Sequence, residues 1–252
     1  MLILLSLAGL IVGIFVVSMG GGGGSIYIGI LTTMFHMSPA MAASTSLATM
    51  IPSMIMGAYS HYKQGNVDLK AGNKILIYGA VGTVVGSLLS PYIPEKIYMY
   101  ITGIIIFVLG LQIMYKFLYP KKSSNVEKYG KLITIVFGLI SGLMVGIVGL
   151  SGGGPIVSGL LILGLPMIKV VGTSIYVLTG TSAIGLFMHL SIGIIDWKYV
   201  IMLLIGTLLG SYLGPKILAK FKQDVLNKYL KLTMAVLLIV MGGRLLMTQF
   251  MR

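Results

Sequence analysis

Two glycine clusters carry the chemistry this sequence could do. Gly20 to Gly24 form an uninterrupted run followed by Ser25, and Ser151-Gly152-Gly153-Gly154-Pro155 restates the theme later in the chain. Glycine lets the backbone turn sharply and lets a ligand approach closely. A helix that starts beside it presents unpaired N–H groups and about half a positive charge. That combination binds anions. Gly21, Gly22, Gly23, Gly24 and Ser25, with Ser151, Gly152, Gly153 and Gly154, are therefore candidate substrate-binding residues. The competing reading is close packing, because small residues let membrane helices approach one another.

Neutral hydrogen-bonding side chains recur in matched places around these clusters. Thr45 and Ser46 are answered by Thr173 and Ser174. They would suit a small oxyanion, or they could serve as ordinary interhelical hydrogen bonds. His61 and His189 each precede a Gly-x-Val/Ile-Asp element ending at Asp68 and Asp196. These four residues read either as symmetric, pH-sensitive gates or as structural groups that interact with a helix C-terminus and fix a turn. His36 has no histidine counterpart and is given no role.

All five acids, Asp68, Glu95, Glu127, Asp196 and Asp224, fall in predicted loops or at their edges. Proton relays and cation sites commonly place Asp or Glu within the membrane, so this distribution argues against a carboxylate-based pump. An intramembrane enzyme would need a nucleophile with its base, or a metal cluster. Three scattered histidines, no Cys and no buried acid supply neither, so no catalytic residue, metal or cofactor is expected. Gly82/Gly86 and Gly206/Gly210 put pairs of small residues on one helix face, which points to tight packing rather than ligand contact.

The elements that must position these groups are membrane helices. Of the 252 residues, 57% are hydrophobic and 9% charged, against roughly 25% charged in a soluble domain. Crossing a hydrocarbon layer of about 30 Å takes about 20 predominantly apolar residues. Eight stretches qualify: 2–19, 40–60, 75–92, 97–118, 132–149, 168–190, 198–217 and 229–249. The first lacks a basic leader and a small-residue cleavage site, so it is expected to be a retained span rather than a signal peptide. Segments 26–36 and 155–165 rise only about 16 Å if helical, and read as half-length or re-entrant pieces. Tyr92, Tyr98, Tyr115, Tyr119, Trp197 and Tyr199 fall at span ends, where interfacial aromatics are expected.

The chain also repeats itself. Ser44-Thr45-Ser46-Leu47 returns as Gly172-Thr173-Ser174-Ile175, and His61-x-x-x-Gly65-x-Val67-Asp68 as His189-x-x-x-Gly193-x-Ile195-Asp196, both at an offset of 128. The Gly82 to Pro91 stretch matches Gly206 to Pro215 at an offset of 124, a shift attributed to a four-residue difference in loop length. The expected organisation is a first repeat over 1–119, a polar cytoplasmic linker over 120–130 and a second repeat over 131–252.

Lys and Arg outnumber Asp and Glu by 18 to 5. In loops between apolar spans this excess orients helices, with cytoplasmic loops enriched in basic residues, and does not imply nucleic acid. Eight crossings put 11 basic residues inside and 7 outside. If the two short segments also change sides there are ten crossings, and only Lys96, Lys198, Arg244 and Arg252 of the 18 stay outside. Five crossings per half is odd, so the halves would be inverted, with both termini outside.

The ordered, duplicated set of Gly20 to Gly24, Pro39, Ser44 to Leu47 and Gly65 to Asp68, then Ser151 to Pro155, Pro166, Gly172 to Ile175 and Gly193 to Asp196, resembles the sulfite exporter TauE/SafE family of membrane permeases. The likeness covers nearly the whole chain. It implies transport of a sulfur-containing anion such as sulfite, a sulfonate or thiosulfate, or of another organic anion. The resulting expectation is an all-α, polytopic, inverted-repeat secondary transporter in a prokaryotic plasma (inner) membrane, working by alternating access. A passive anion channel is the alternative. The partners expected are the lipid bilayer, a small anion and a coupling ion, either a proton or Na+.

Overall fold

The computed structural model describes residues 2–19, 23–119, 130–192, 195–218, 232, 235–236 and 238–247. Within these residues the chain is helical and contains no strand. In order the helices are α1 (Leu2–Met19), α2 (Gly24–Thr33), α3 (Pro39–Lys63), α4 (Leu69–Leu89), α5 (Glu95–Leu118), α6 (Gly130–Val148), α7 (Gly153–Ile162), α8 (Met167–Ile192) and α9 (Trp197–Leu218), with α10 over Leu238–Met247. A single 3-10 turn, Ser90–Tyr92, follows α4. Of the linker 120–130, only Gly130 is described, and it begins α6.

Local sequence explains the boundaries. Ser38 accepts the N–H of Met41 at 3.5 Å and Pro39 opens α3, which ends on His61 and Lys63. Asp68 caps α4 by accepting the Ala71 N–H at 2.9 Å. The two ten-residue helices α2 and α7 close on left-handed residues at an offset of 128, His36 and Gly164. His36 thus occupies a turn position that its counterpart fills with glycine.

Among the described residues, five helices are long and apolar enough to cross a membrane: Ala40–Lys63, Leu69–Tyr92, Lys96–Tyr115, Gly130–Val148 and Ile168–Leu190. These five coincide with five of the eight expected spans. At the other three expected places the described residues hold apolar helical stretches over Leu5–Ile14 within α1, Trp197–Ser211 within α9, and Leu238–Met247. The segments 26–36 and 155–165 fold as the short helices α2 and α7. Large apolar side chains such as Ile104, Val108, Leu111, Phe187 and Ile201 face outward along the long helices, as lipid contact requires.

The helices interleave along the chain. α1 packs against α9 and α4 against α6, while α3 lies on α8, α4 also touches α8, and α3 also touches α9. α2 rests on α3, and α7 on α6 and α8. Gly57 meets Ile175, and Gly185 meets Leu47, so numbers rise along α3 as they fall along α8 and the two run antiparallel.

Glycine makes the closest contacts. A Cβ on Gly82 would lie 2.5 Å from the Leu139 carbonyl oxygen, and one on Gly206 or Gly210 would strike the carbonyls of Ser6 or Leu10. The two Gly-x-x-x-Gly pairs therefore pack helices, as expected. Two further pairs of this kind escaped notice in the sequence. Gly9 and Gly13 on α1 pack on Leu203 and Thr207, and Gly138 and Gly142 on α6 pack on Ile75 and Gly79.

Two expectations need correction. The offset of 124 does not come from loop length, because α4 starts directly after Asp68 and α9 directly after Asp196, both at an offset of 128. The glycine pair has slipped by one helical turn, which keeps it on the same face. In packing, Gly82 against Leu139 therefore matches Gly210 against Leu10. Tyr98 is not an interfacial ring either. It is 3% exposed and its hydroxyl donates to the Ile147 carbonyl, whereas Tyr92, Tyr115, Tyr119 and Trp197 are exposed. Tyr199 is half-buried and packs edge-on against Phe35 at 5.2 Å.

Candidate functional site

Both short helices begin in the same way. Gly23 stands before α2 with φ 68° and Gly152 before α7 with φ 61°, a left-handed conformation that side chains disfavour. The Gly23 carbonyl receives the N–H groups of Ile26 and Tyr27 at 3.0 and 3.1 Å, so the turn passes directly into helix. Neither N-cap carries a side-chain hydrogen bond. Gly20, Gly21 and Gly22 lie outside the described residues.

The two starts meet. A Cβ on Gly24 would lie 2.6 Å from the Ser151 nitrogen, 3.3 Å from the Leu150 carbonyl carbon and 3.2 Å from the Met50 sulfur. Met50 lies eleven residues after the first residue of the 25-residue α3, about 16 Å along it. The contact is therefore near the middle of a long span rather than at its end. Ser25 and Ser151 are both buried there. Ser46 donates to the Gly24 carbonyl at 3.4 Å, and Ser141 on α6 donates to the Gly152 carbonyl at 3.0 Å. Gly153 is buried, and Gly154 faces Leu109 and the Gln112 amide of α5.

The Thr-Ser pairs divide their work. Ser46 turns to the first glycine turn, whereas Thr45 accepts the backbone N–H of Asp196 at 3.2 Å. Thr173 accepts the backbone N–H of Asp68 at 2.8 Å, and its neighbour Ser174 is fully buried. The Asp side chains look the other way. Asp68 caps α4, and Asp196 accepts from Lys198 and Tyr199 N–H groups at 3.1 and 3.4 Å to cap α9. His189 is buried and donates from Nδ1 to the Gly185 carbonyl at 2.9 Å, while His61 is only partly covered. The histidines and aspartates are thus distributed over the ends of α3 and α8 and the starts of α4 and α9, away from the Gly24–Ser151 contact.

Three contributors were missed by sequence reasoning. Met50 and Ser141 bear on the two glycine turns, and Gln112 donates to Ser158 at 3.3 Å on α7. Gln112 carried a signal, since it is an uncharged amide inside the otherwise apolar α5. Met50 and Ser141 carried none. Chemically, two helix N-termini that face one another bring like partial charges together. Asp68 and Asp196, whose carboxylates cap other helices, do not offset them, so a negatively charged solute would be favoured there.

Residues 5–245 match the family model described as Sulfite exporter TauE/SafE. A Bacillus subtilis (strain 168) protein named Probable membrane transporter protein YdhB is 31% identical over 231 residues, covering 90% of this chain and 94% of the relative. A second, named Probable membrane transporter protein YunE from the same organism, is 25% identical over 272 residues, covering 97% of each. The Methanocaldococcus jannaschii relative, Probable membrane transporter protein MJ0441, is 28% identical over 259 residues, covering 95% and 93%.

Proposed function

The chain belongs to the sulfite exporter TauE/SafE family of integral membrane transporters, not enzymes, and from that membership we propose that it is a permease for a small sulfur-containing or organic anion. The observation that carries this reading is the contact of Gly24 with the Leu150–Ser151 backbone. It brings together two helix starts whose dipoles share a sign. Gly23, Gly24, Ser25, Ser151, Gly152 and Gly153 form the anion site in this proposal, with Gly21 and Gly22 continuing it. Ser46 holds the first turn in place, and Gly154 closes the site against α5. Thr45, Thr173, Asp68 and Asp196 act structurally, at its periphery.

In the same proposal, residues 1–119 and 131–252 are inverted repeats joined by the linker 120–130, and transport proceeds by alternating access. The antiparallel α3 and α8 support inversion, as does the reciprocal bonding of Thr45 to Asp196 and Thr173 to Asp68. Each half supplies the threonine that holds the other half's Asp turn. The pairing of α1 with α9 and of α4 with α6 is likewise what exchange of two similar halves would produce.

The test is flux into proteoliposomes of sulfite, thiosulfate, methanesulfonate and a small carboxylate. Saturable, competing uptake of at least one sulfur anion is expected. Unsaturable flux across the whole panel would replace the carrier with a passive channel, and absence of flux for every anion would overturn the reading.

A further inference from the structure

Of the buried polar atoms that have no hydrogen-bond partner among the described residues, two, on α4 and α8, share one level of the fold. His189 is 1% exposed, and its Nε2 is unpartnered. Ser87 on α4 is fully buried, and its hydroxyl is unpartnered as well. α4 and α8 run in the same direction here: Gly72 lies against Thr173, Gly79 against Thr181, and Thr83 against Gly185. One further turn along each helix brings Ser87 and His189 to the same level.

The tautomer of His189 follows from its other nitrogen. A carbonyl can only accept, so the 2.9 Å contact with the Gly185 oxygen puts the hydrogen on Nδ1. In the neutral ring Nε2 is then a bare lone pair without a hydrogen-bond partner, in a place where an unsatisfied polar atom is costly. We propose that Ser87 and His189 form a buried proton-binding site in the α4–α8 interface, at which transport is coupled to a proton. The coupling rests on the permease reading above, whereas the proton site does not.

The step is a simple one. Nε2 takes a proton from water on the side to which the protein is open, while Nδ1–H stays on the Gly185 carbonyl. The resulting Nε2–H donates to the Ser87 oxygen, and loss of that proton to the opposite side restores the neutral ring. No other titratable side chain on the packed helices competes at this level. Lys70, Lys74 and Tyr78 on α4, Tyr59, His61, Tyr62 and Lys63 on α3, Lys131 on α6, and Lys169 and Tyr176 on α8 itself lie toward the other end of α8, and α7 has none; Tyr98 of α5 comes near this level, but its hydroxyl is engaged by the Ile147 carbonyl. The Asp196 carboxylate is engaged in capping α9.

The chain has three histidines, so nitrogen-15 imidazole spectra of the full protein in nanodiscs resolve the question without altering the site. His36→Asn and His61→Gln assign the His189 signal by elimination. A neutral Nδ1–H tautomer that converts to imidazolium as the pH is lowered, within the range over which the protein stays folded, is expected. Ser87→Ala should shift that conversion to lower pH. A ring that holds Nε2–H throughout, or never titrates, overturns the site whatever the flux assays give.

For coupling, methanesulfonate accumulation is driven by a pH gradient in proteoliposomes, since this anion does not itself titrate near neutrality. His189→Gln is expected to abolish gradient-driven accumulation while leaving methanesulfonate exchange at equal pH intact. Accumulation that survives in His189→Gln, or that follows a Na+ gradient instead, overturns the coupling. A titrating His189 in a protein that moves no anion leaves the proton site standing and removes the permease reading alone.

Discussion

The hydroxyl of Thr173 accepts a hydrogen bond from the backbone N–H of Asp68 at 2.8 Å, across 105 residues of chain. The same bond recurs between Thr45 and Asp196 at 3.2 Å. Each bond holds the residue that caps the next helix, so interhelical packing and helix initiation depend on one contact.

Replacing Thr173 or Thr45 by Val removes the acceptor and leaves a partly buried N–H unpaired, at a cost of about 1–3 kcal/mol. Serine keeps the acceptor and should recover most of that loss. The two bonds lie at opposite ends of α3 and share no partner, so the double Val variant should lose about the sum, within roughly 0.5 kcal/mol. Detergent-solubilised thermal unfolding measures this. Wild-type stability in either Val variant would mean that the bond contributes nothing.

Gly142 faces the Gly79 carbonyl so closely that any side chain must push α4 and α6 apart, and Gly210 stands in the same relation to Leu10. Gly142→Ala and Gly210→Ala should each destabilise by about 1–3 kcal/mol or more through overpacking. Gly243 is the control, because the nearest atom to its added Cβ is a Phe107 ring carbon at 3.9 Å. Gly243→Ala should be neutral or mildly stabilising on the same unfolding curves, and an equal loss at all three sites would rule out the close approach as the cause.

The sequence pattern made some of this legible and hid the rest for physical reasons. Gly82/Gly86 and Gly206/Gly210 stood out because small residues one turn apart inside apolar helices have few uses. Gly9/Gly13 and Gly138/Gly142 have the same spacing but sit in runs of Leu, Ile and Val upstream of the glycine clusters, with Ser6 and Ser141 as the polar residues near them. The slip from an offset of 128 to 124 looked like a loop difference because residues four apart lie on one helix face and pack alike. Tyr98 resembled an interfacial ring because its place in the chain says nothing of which way the ring turns. That Thr45 reaches Asp196 while its neighbour Ser46 reaches Gly24 depends on the rotation of α3 between α9 and α2, which local sequence does not encode.

If the two halves are inverted as proposed, equivalent turns lie on opposite membrane faces. The chain has no cysteine, so single-cysteine labelling is free of background. Gln64 and Lys198 are exposed beside the two Asp turns. Gln64→Cys and Lys198→Cys should react with a membrane-impermeant maleimide from opposite sides of the membrane. Reaction of both from one side would exclude inversion, however the glycine turns behave.

The Gly24 contact offers the sharpest test of the anion site. Gly24→Ala puts a methyl 2.6 Å from the Ser151 nitrogen and 3.2 Å from the Met50 sulfur. The sulfur ends a flexible side chain and can move, but the nitrogen belongs to the turn that opens α7. The substitution should therefore spread the two helix starts and lower saturable anion flux by at least about tenfold, equivalent to about 1.4 kcal/mol of lost binding or barrier stabilisation. Met50→Ala relieves only the sulfur contact, so the double variant should stay impaired. Met50→Ala alone should keep most of its flux, since it leaves both turns in place. Recovery in the double variant would locate the constraint in the Met50 side chain and remove the meeting of the two backbones as the basis of anion binding.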